Sequence, residues 1–292
     1  CAFIIFLICG MDFTGAVNHA LSTVSAGGFS TYNESAAYFD DVYVEGWMTF
    51  FMVLAGGNFG LYYRAYHKGA TVLLKDTEFK AYLSILVVAA IIIIGDLMVE
   101  LDSDFFTALR YAAFQTASIA TTGFVSADYD RWPVLSKFVL MGLMICGGCA
   151  GSTAAGLKIS RVVILFRSVR ATVLHLLYPK HVVEVMMNGT TLHDSTVLRV
   201  GQYFFMYIFF ILFFALLLAF DGVGGFDALG ISVSTMGCIG PAFGVTGATC
   251  TYADLSWFSK TVICFSMLLG RLEIFTILVM LRPGLWKGKN TW

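Results

Sequence analysis

The sequence predicts an all-α membrane protein assembled from repeated units, and three observations carry that expectation. Composition is the first. Of 292 residues, 58% are hydrophobic and 13% charged, with a mean hydropathy of +0.80, about half the charge of an ordinary soluble domain. The second is a series of apolar runs at 46–63, 82–99, 134–145, 200–220 and 258–281, the scale needed to cross about 30 Å of hydrocarbon. The run at 134–145 passes into a Gly-rich interruption, and 1–8 reads as the end of another span. The third is a phrase repeated between the runs: Thr23, Ser118 and Thr235 are each followed five positions later by a glycine, Gly28, Gly123 and Gly240.

The chain begins with Cys1 inside an apolar run rather than with Met, so an N-terminally truncated chain is expected and no removable signal is visible. Each glycine phrase follows a segment suited to a short helix, at 13–23, 104–118 and 226–235. Asp104 and Asp227 stand where an N-cap or first-turn acid belongs. After each phrase comes a polar loop and then a span with a glycine at matched depth. Gly57 follows Trp47, Gly147 follows Lys137 and Gly270 follows Lys260, each by ten residues, and Ser136 and Ser259 precede the two lysines. Each unit therefore reads as span, short helix, glycine loop, span. The glycine phrases are unevenly spaced, which indicates degenerate copies rather than a solenoid.

Charge sorts by side. The loops with Glu34, Asp40, Asp41 and Glu45, and with Glu100, Asp102 and Asp104, are acidic. Those with Arg64, Lys68, Lys75 and Lys80, and with Arg161, Arg167, Arg170 and Lys180, are basic. The positive-inside rule makes the basic side cytoplasmic. The acids then concentrate cations at an outer mouth, or serve solubility alone. Net charge is −1, and no nucleic-acid partner is expected. The seven cysteines lack disulfide-like spacing.

Small residues ending in glycine allow successive carbonyls to turn the same way, because glycine accepts left-handed dihedrals. Several such runs around one axis can replace the water shell of a desolvated cation. The stretch 147–156, with four glycines plus Ser152 and Thr153, suits irregular backbone at membrane depth, tolerated where protein or water covers it. Its alternative is a small-residue packing face. Cys146 and Cys149 form a lone CxxC without a second ligand pair, a poor metal site. Arg271 lies within a span, so it faces a cavity or a partner, with Glu273 as a nearby candidate for an ion pair.

These phrases, the segment from Gly147 to Lys158, and the pair Gly270 and Arg271 resemble the potassium-translocating subunits of the Trk/Ktr/HKT superfamily, the bacterial TrkH type most of all. The resemblance covers essentially the whole chain. It implies four units, each with two membrane helices around a pore helix and filter loop, pseudo-fourfold when intact. This chain resembles the second unit, N-terminally shortened, at 1–68, the third at 69–180 and the fourth at 181–292.

By the same resemblance, carbonyls of Ala26, Gly27 and Gly28, of Thr121, Thr122 and Gly123, and of Cys238, Ile239 and Gly240 line a K+ filter. Pro241 stands where the other phrases have Phe29 and Phe124, and a less regular quadrant is expected there. Gly147, Gly148, Gly151, Ser152, Thr153 and Gly156 form an intramembrane gating loop, with Arg271 beside it and the cavity. The implied setting is a multi-pass protein of the bacterial inner membrane that takes up potassium without a cofactor. The resemblance adds a homodimer and a cytosolic TrkA-like nucleotide-binding subunit docking on the basic face, with 161–199 as its landing area. The chain itself carries no nucleotide-binding motif.

Two other classes share part of this pattern. An ion-coupled secondary transporter also uses Gly-broken helices, but needs a coupling acid at depth, and Glu273 is its one candidate. An intramembrane hydrolase built on Ser152 lacks a histidine suitably opposite it.

Overall fold

The structure, a computed structural model, describes residues 1–179 and 183–282. Lys180 of the basic loops and the end of the fourth unit, 283–292, lie outside the described residues. Among the described residues the chain is all-α apart from a hairpin of two-residue strands pairing Met186–Met187 with Thr190–Thr191. Three arrangements of the same kind follow one another. In the first, α1 (Ala2–Ile8) leads to a short inward helix α2 (Phe13–Val24), then to α3 (Val42–Gly56) and α4 (Phe59–Lys68). A connector, α5 (Thr71–Lys75), opens the second, which comprises α6 (Thr77–Glu100), α7 (Phe105–Thr121), α8 (Val134–Cys146) and α9 (Ile159–Leu177). The third comprises α10 (Asp194–Phe220), α11 (Gly225–Met236), α12 (Trp257–Arg271) and α13 (Ile274–Met280).

Side-chain caps start six of these helices. Asp12, Asp41, Asn58, Asp76, Asp104 and Ser256 each accept a first-turn N–H of the helix that follows, satisfying donors that have no partner within the helix. At α11 the cap is Gly224 and Asp227 sits in the first turn. Helix α7 runs on to Thr121, beyond the expected end at 118.

Helices α6 and α10 are long and apolar enough to cross a membrane, and only 28% of each apolar window is buried. Their outward faces, with Val87, Val88, Ile91, Phe205, Leu212 and Leu216 exposed, are suited to lipid. The runs expected at 46–63 and 258–281 are not continuous helices. The first breaks at Gly57 and Asn58, and the last turns through 107° between Arg271 and Ile274. Helix α8 also stops at Cys146. Thus the second helix of every arrangement breaks at or just after the matched glycine: at Gly57, at Gly147, and at Leu272–Glu273 just past Gly270.

A second internal match appears at the outer ends. Asp96 of α6 accepts from Ser136 Oγ at 2.5 Å, and Asp221 beyond α10 accepts from Ser259 Oγ at 2.6 Å. These are the serines that precede Lys137 and Lys260, so each ties the top of its second helix to that of the first. The buried apolar residues form two clusters. A large one joins α6, α7, α8, α10, α11 and α12, and a smaller one joins α1, α2, α3 and α7.

Candidate functional site

The three short helices α2, α7 and α11 end at the three glycine phrases, and the phrases touch in sequence order. A Cβ on Gly28 would overlap the Thr122 carbonyl and come within 3.2 Å of the Gly123 carbonyl carbon. A Cβ on Gly123 would overlap the Ile239 carbonyl and reach Pro241 Cδ at 3.2 Å. Gly28, Gly123 and Gly240 have φ of +69°, +97° and +111°, where an L side chain is strained. Glycine at Gly28 and Gly123 thus answers two demands at once, backbone sign and contact with the next phrase. The middle phrase is flanked on both sides, and 121–126 is buried throughout.

The nine residues predicted to supply ligands have carbonyls of a particular kind. Among the described residues, none of these carbonyls accepts a hydrogen bond except that of Gly240, which takes the Tyr252 hydroxyl. Buried carbonyls almost always have a partner. A row of free ones where three helix C-termini meet is an electronegative surface, reinforced by the negative ends of the helix dipoles. Such a surface suits a dehydrated cation.

Directly beneath lies the stretch 147–156. It is irregular backbone rather than a helix face. Its neck is closed by two glycines: a Cβ on Gly156 would lie 3.2 Å from Gly147 Cα. Bonds to four separate parts of the chain hold the loop, the fourth through Glu78. Cys149 N–H donates to Gly56 O at 2.8 Å, and Phe59 N–H donates to Gly151 O at 3.2 Å, both at the α3–α4 break. Thr153 Oγ1 donates to Val24 O at 3.1 Å, at the very end of α2. Arg271 Nη1 donates to Thr153 O at 2.9 Å. Thr153 therefore bridges the first short helix, which ends at the first glycine phrase, to the break in the last span. A polar cavity of about 130 Å³ adjoins it, lined by Ser152, Thr153, Gly156, Tyr203, Arg271 and Glu273 among others.

Arg271 does not pair with Glu273. That carboxylate lies 3.0 Å from Arg161 Nη2 and 3.9 Å from Lys158 Nζ, while the Arg161 guanidinium sits 3.9 Å from the Tyr203 ring centre. Residues two apart on a helix face different ways, and the break at Glu273, with φ +61°, turns its side chain toward α9. Arg161 is consequently drawn inward and leaves the basic landing face expected over 161–199. On that face Arg167 donates to the Met186 carbonyl.

The site includes residues that sequence reasoning passed over. Glu78, in the first turn of α6 and only 6% exposed, accepts from Ala150 N–H at 2.5 Å and Ser160 N–H at 3.1 Å. One carboxylate oxygen thus pins the loop and the start of α9 together. In sequence Glu78 reads as an ordinary first-turn acid, and nothing nearby signals its long-range partners. Asn58 caps α4 through Leu61 N–H and stands against Gly151. Its signal was available, as a cap residue just after the matched Gly57. On the outer side, Glu45 and Asp40 both bind Arg110, at 2.7 and 2.8 Å, and tie α3 to α7. Cys146 and Cys149 are free thiols, and the described residues hold no His, Cys, Asp or Glu cluster fit for a metal.

Comparison with known proteins agrees with this geometry. The family model described as TrkH, cation transport protein, matches residues 10–289. The chain is 34% identical over 288 residues to the Trk system potassium uptake protein TrkH of Halomonas elongata, covering 97% of this chain and 58% of that protein. It is 31% identical over 294 residues to the Trk system potassium uptake protein TrkG of Escherichia coli K12, covering 97% and 58%. Among solved structures, the potassium transporter TrkH from Vibrio parahaemolyticus superposes with a TM-score of 0.90 at 30% identity, over 98% of this chain and 62% of that one. The chain spans somewhat under three-fifths of the length of these curated relatives.

Proposed function

The chain belongs to the TrkH family of cation transport proteins, and from that membership we propose that it carries potassium across the bacterial inner membrane through a channel-like pore. The observation that supports this most directly is the row of carbonyls that take no hydrogen bond from the described residues, at Ala26, Gly27, Gly28, Thr121, Thr122, Gly123, Cys238 and Ile239. They stand where three short helices end against one another. In this reading the ion loses its water at these carbonyls, then meets the loop 147–156, which blocks the path.

The loop acts as a gate because its tethers are few and polar. Hydrogen bonds between protein groups exchange for bonds to water at a net cost of about 1 kcal/mol each. Displacing the loop therefore requires a modest free energy, while moving a buried apolar layer costs far more. Arg271 contributes by holding the Thr153 carbonyl and by placing a positive charge beside the ion path, where it opposes a passing cation. A secondary transporter needs a free acid at depth. Glu45, Glu78 and Glu273 are each engaged, by Arg110, by two backbone N–H groups, and by Arg161 with Lys158.

A homodimer and a cytosolic nucleotide-binding partner fit the same reading, with Arg170 and its neighbours on α9 as the basic surface offered to that partner. Flux of rubidium into liposomes containing the protein tests the central claim. Uptake that saturates with rubidium and is competed by potassium is the expected result. Uptake that requires a proton or sodium gradient would favour coupled transport instead.

A further inference from the structure

Three consecutive carbonyls at the third glycine phrase are each taken by a hydroxyl from a different element. Tyr252 O–H, from the turn at Tyr252–Asp254, donates to Gly240 O. Ser234 Oγ, from α11, donates to Pro241 O at 2.8 Å. Tyr129 O–H, from the turn at Tyr129–Arg131 in the preceding arrangement, donates to Ala242 O at 2.9 Å. The second phrase has one such bond, Ser118 Oγ to Phe124 O at 2.5 Å, one residue beyond its glycine. Among the described residues the first phrase has none over 26–29. Its side-chain anchor lies further on, where His19 Nε2 meets Ser30 Oγ at 2.9 Å. The three phrases therefore differ in where the hydroxyl ladder begins, and only in the third does it reach the glycine itself.

We propose that Tyr252 is a specificity-determining residue of the cation filter, holding the Gly240 carbonyl in a fixed direction and withdrawing one of its lone pairs from the ion. The proposal rests on the pore reading above. Its physical basis is the dependence of cation choice on the number, field strength and mobility of coordinating carbonyls. A carbonyl that already accepts a hydroxyl proton offers a weaker and less mobile dipole. A weaker field on one side of the ring favours the larger, less strongly hydrated cation. A carbonyl released to swing inward can close around a smaller one. Pro241 supports the same end, since it lacks an N–H and holds its own φ fixed, leaving the ladder to set the direction of the strand. The irregularity of this phrase is then a feature of selectivity.

Tyr252→Phe removes the hydroxyl alone. In liposomes containing the protein, potassium against sodium competition for rubidium uptake should show discrimination reduced about five-fold, the effect of losing one hydrogen bond. Tyr129→Phe, which frees the Ala242 carbonyl two residues away, should leave discrimination near wild type. Should Tyr252→Phe lower the yield of folded protein, 3-fluorotyrosine at 252 keeps the ring and strengthens donation, and discrimination should then rise. Wild-type discrimination in the Phe variant, an equal loss in Tyr129→Phe, or no response to the fluorinated residue would each overturn the assignment to Tyr252. Wild-type protein that carries no rubidium overturns the pore reading and this inference together.

Discussion

The glycine phrases and the loop 147–156 are both glycine-rich irregular backbone, yet they differ in what their polar groups meet. In the phrases, Gly28 and Gly123 are pressed onto the next phrase so closely that a methyl group would overlap a carbonyl, and the predicted ligand carbonyls are left without partners among the described residues save at Gly240. The loop is also tight at its neck, where a Cβ on Gly147 would overlap the Ala155 carbonyl, but its bonds run outward to Gly56, Val24, Glu78 and Arg271. The phrases are held by contact with one another, and their carbonyls stay open. The loop is held by bonds to other helices, with Cys149 and Ala154 buried beside them. Glycine therefore permits close backbone contact in both places, and the difference lies in the partners of the surrounding polar groups.

The largest effect is expected from Gly123→Ser, which attacks the steric side. The backbone there has φ +97°, costing an L residue about 1–2 kcal/mol, and the new Cβ overlaps the Ile239 carbonyl, adding about 1–3 kcal/mol of strain. Potassium over sodium discrimination should fall sharply in cation competition. Unchanged selectivity removes Gly123 from the filter.

Next comes deletion of several residues within 147–156. If the loop blocks the path through polar tethers, its shortening raises basal flux several-fold per folded molecule, the yield being measured alongside because Cys149 and Ala154 of the loop are buried. Unaltered flux in folded protein would show that the stretch only packs.

Glu78 sharpens the comparison further. Glu78→Ala leaves the Ala150 and Ser160 N–H groups without their acceptor, at about 1–3 kcal/mol each when buried. Basal flux should rise, whereas Glu78→Gln keeps an oxygen and should remain closer to wild type. Equal behaviour of the two variants argues against an acceptor role.

Arg271→Ala follows in size. It breaks one bond to Thr153 O and removes the charge, and because Glu273 already has Arg161 and Lys158, no buried acid is stranded. Flux per folded molecule should rise by roughly the factor of five or so that one hydrogen bond supplies, with yield unchanged. A fall in folded yield instead would reveal a structural role.

The smallest effect lies at the outer surface. Hydrogen bonds from Ser256 and Ser259 hold the Asp221 carboxyl below its ordinary range. A depressed carboxyl stabilises the fold above its unfolded-state value and loses that contribution as pH falls through the folded one. Thermal stability of the wild type should drop over that acidic window, and Asp221→Asn should flatten the drop. A parallel decline in both proteins removes Asp221 from the account.

Much of the fold was legible because membrane solvent writes itself into composition. Long apolar runs marked α6 and α10, Asp104 marked a helix start, and the matched Gly57, Gly147 and Gly270 lay at or just before the points where second spans break. The breaks themselves were less legible. Residues 46–63 and 258–281 read as single apolar runs despite Asn58, Arg271 and Glu273 at the breaks, since hydropathy reports the solvent and not the backbone. Nearness in sequence offers Glu273 as one candidate partner for Arg271, and the turn in the last span sends it to Arg161 instead.

The sequence by itself determined that the protein lives among lipid, that it repeats, and that a glycine closes each phrase at 28, 123 and 240, because each of these follows from local chemistry: transfer free energy, periodicity and the conformational freedom of glycine. Which phrase touches which, that Thr153 bridges Val24 to Arg271, that Glu78 holds the loop and that Tyr252 reaches Gly240 were decided only by the tertiary structure. Those contacts join residues far apart in the chain, through single polar atoms whose partners are chosen by where helices come to rest. A side chain's type limits what it can bond, and only packing selects the group that it meets.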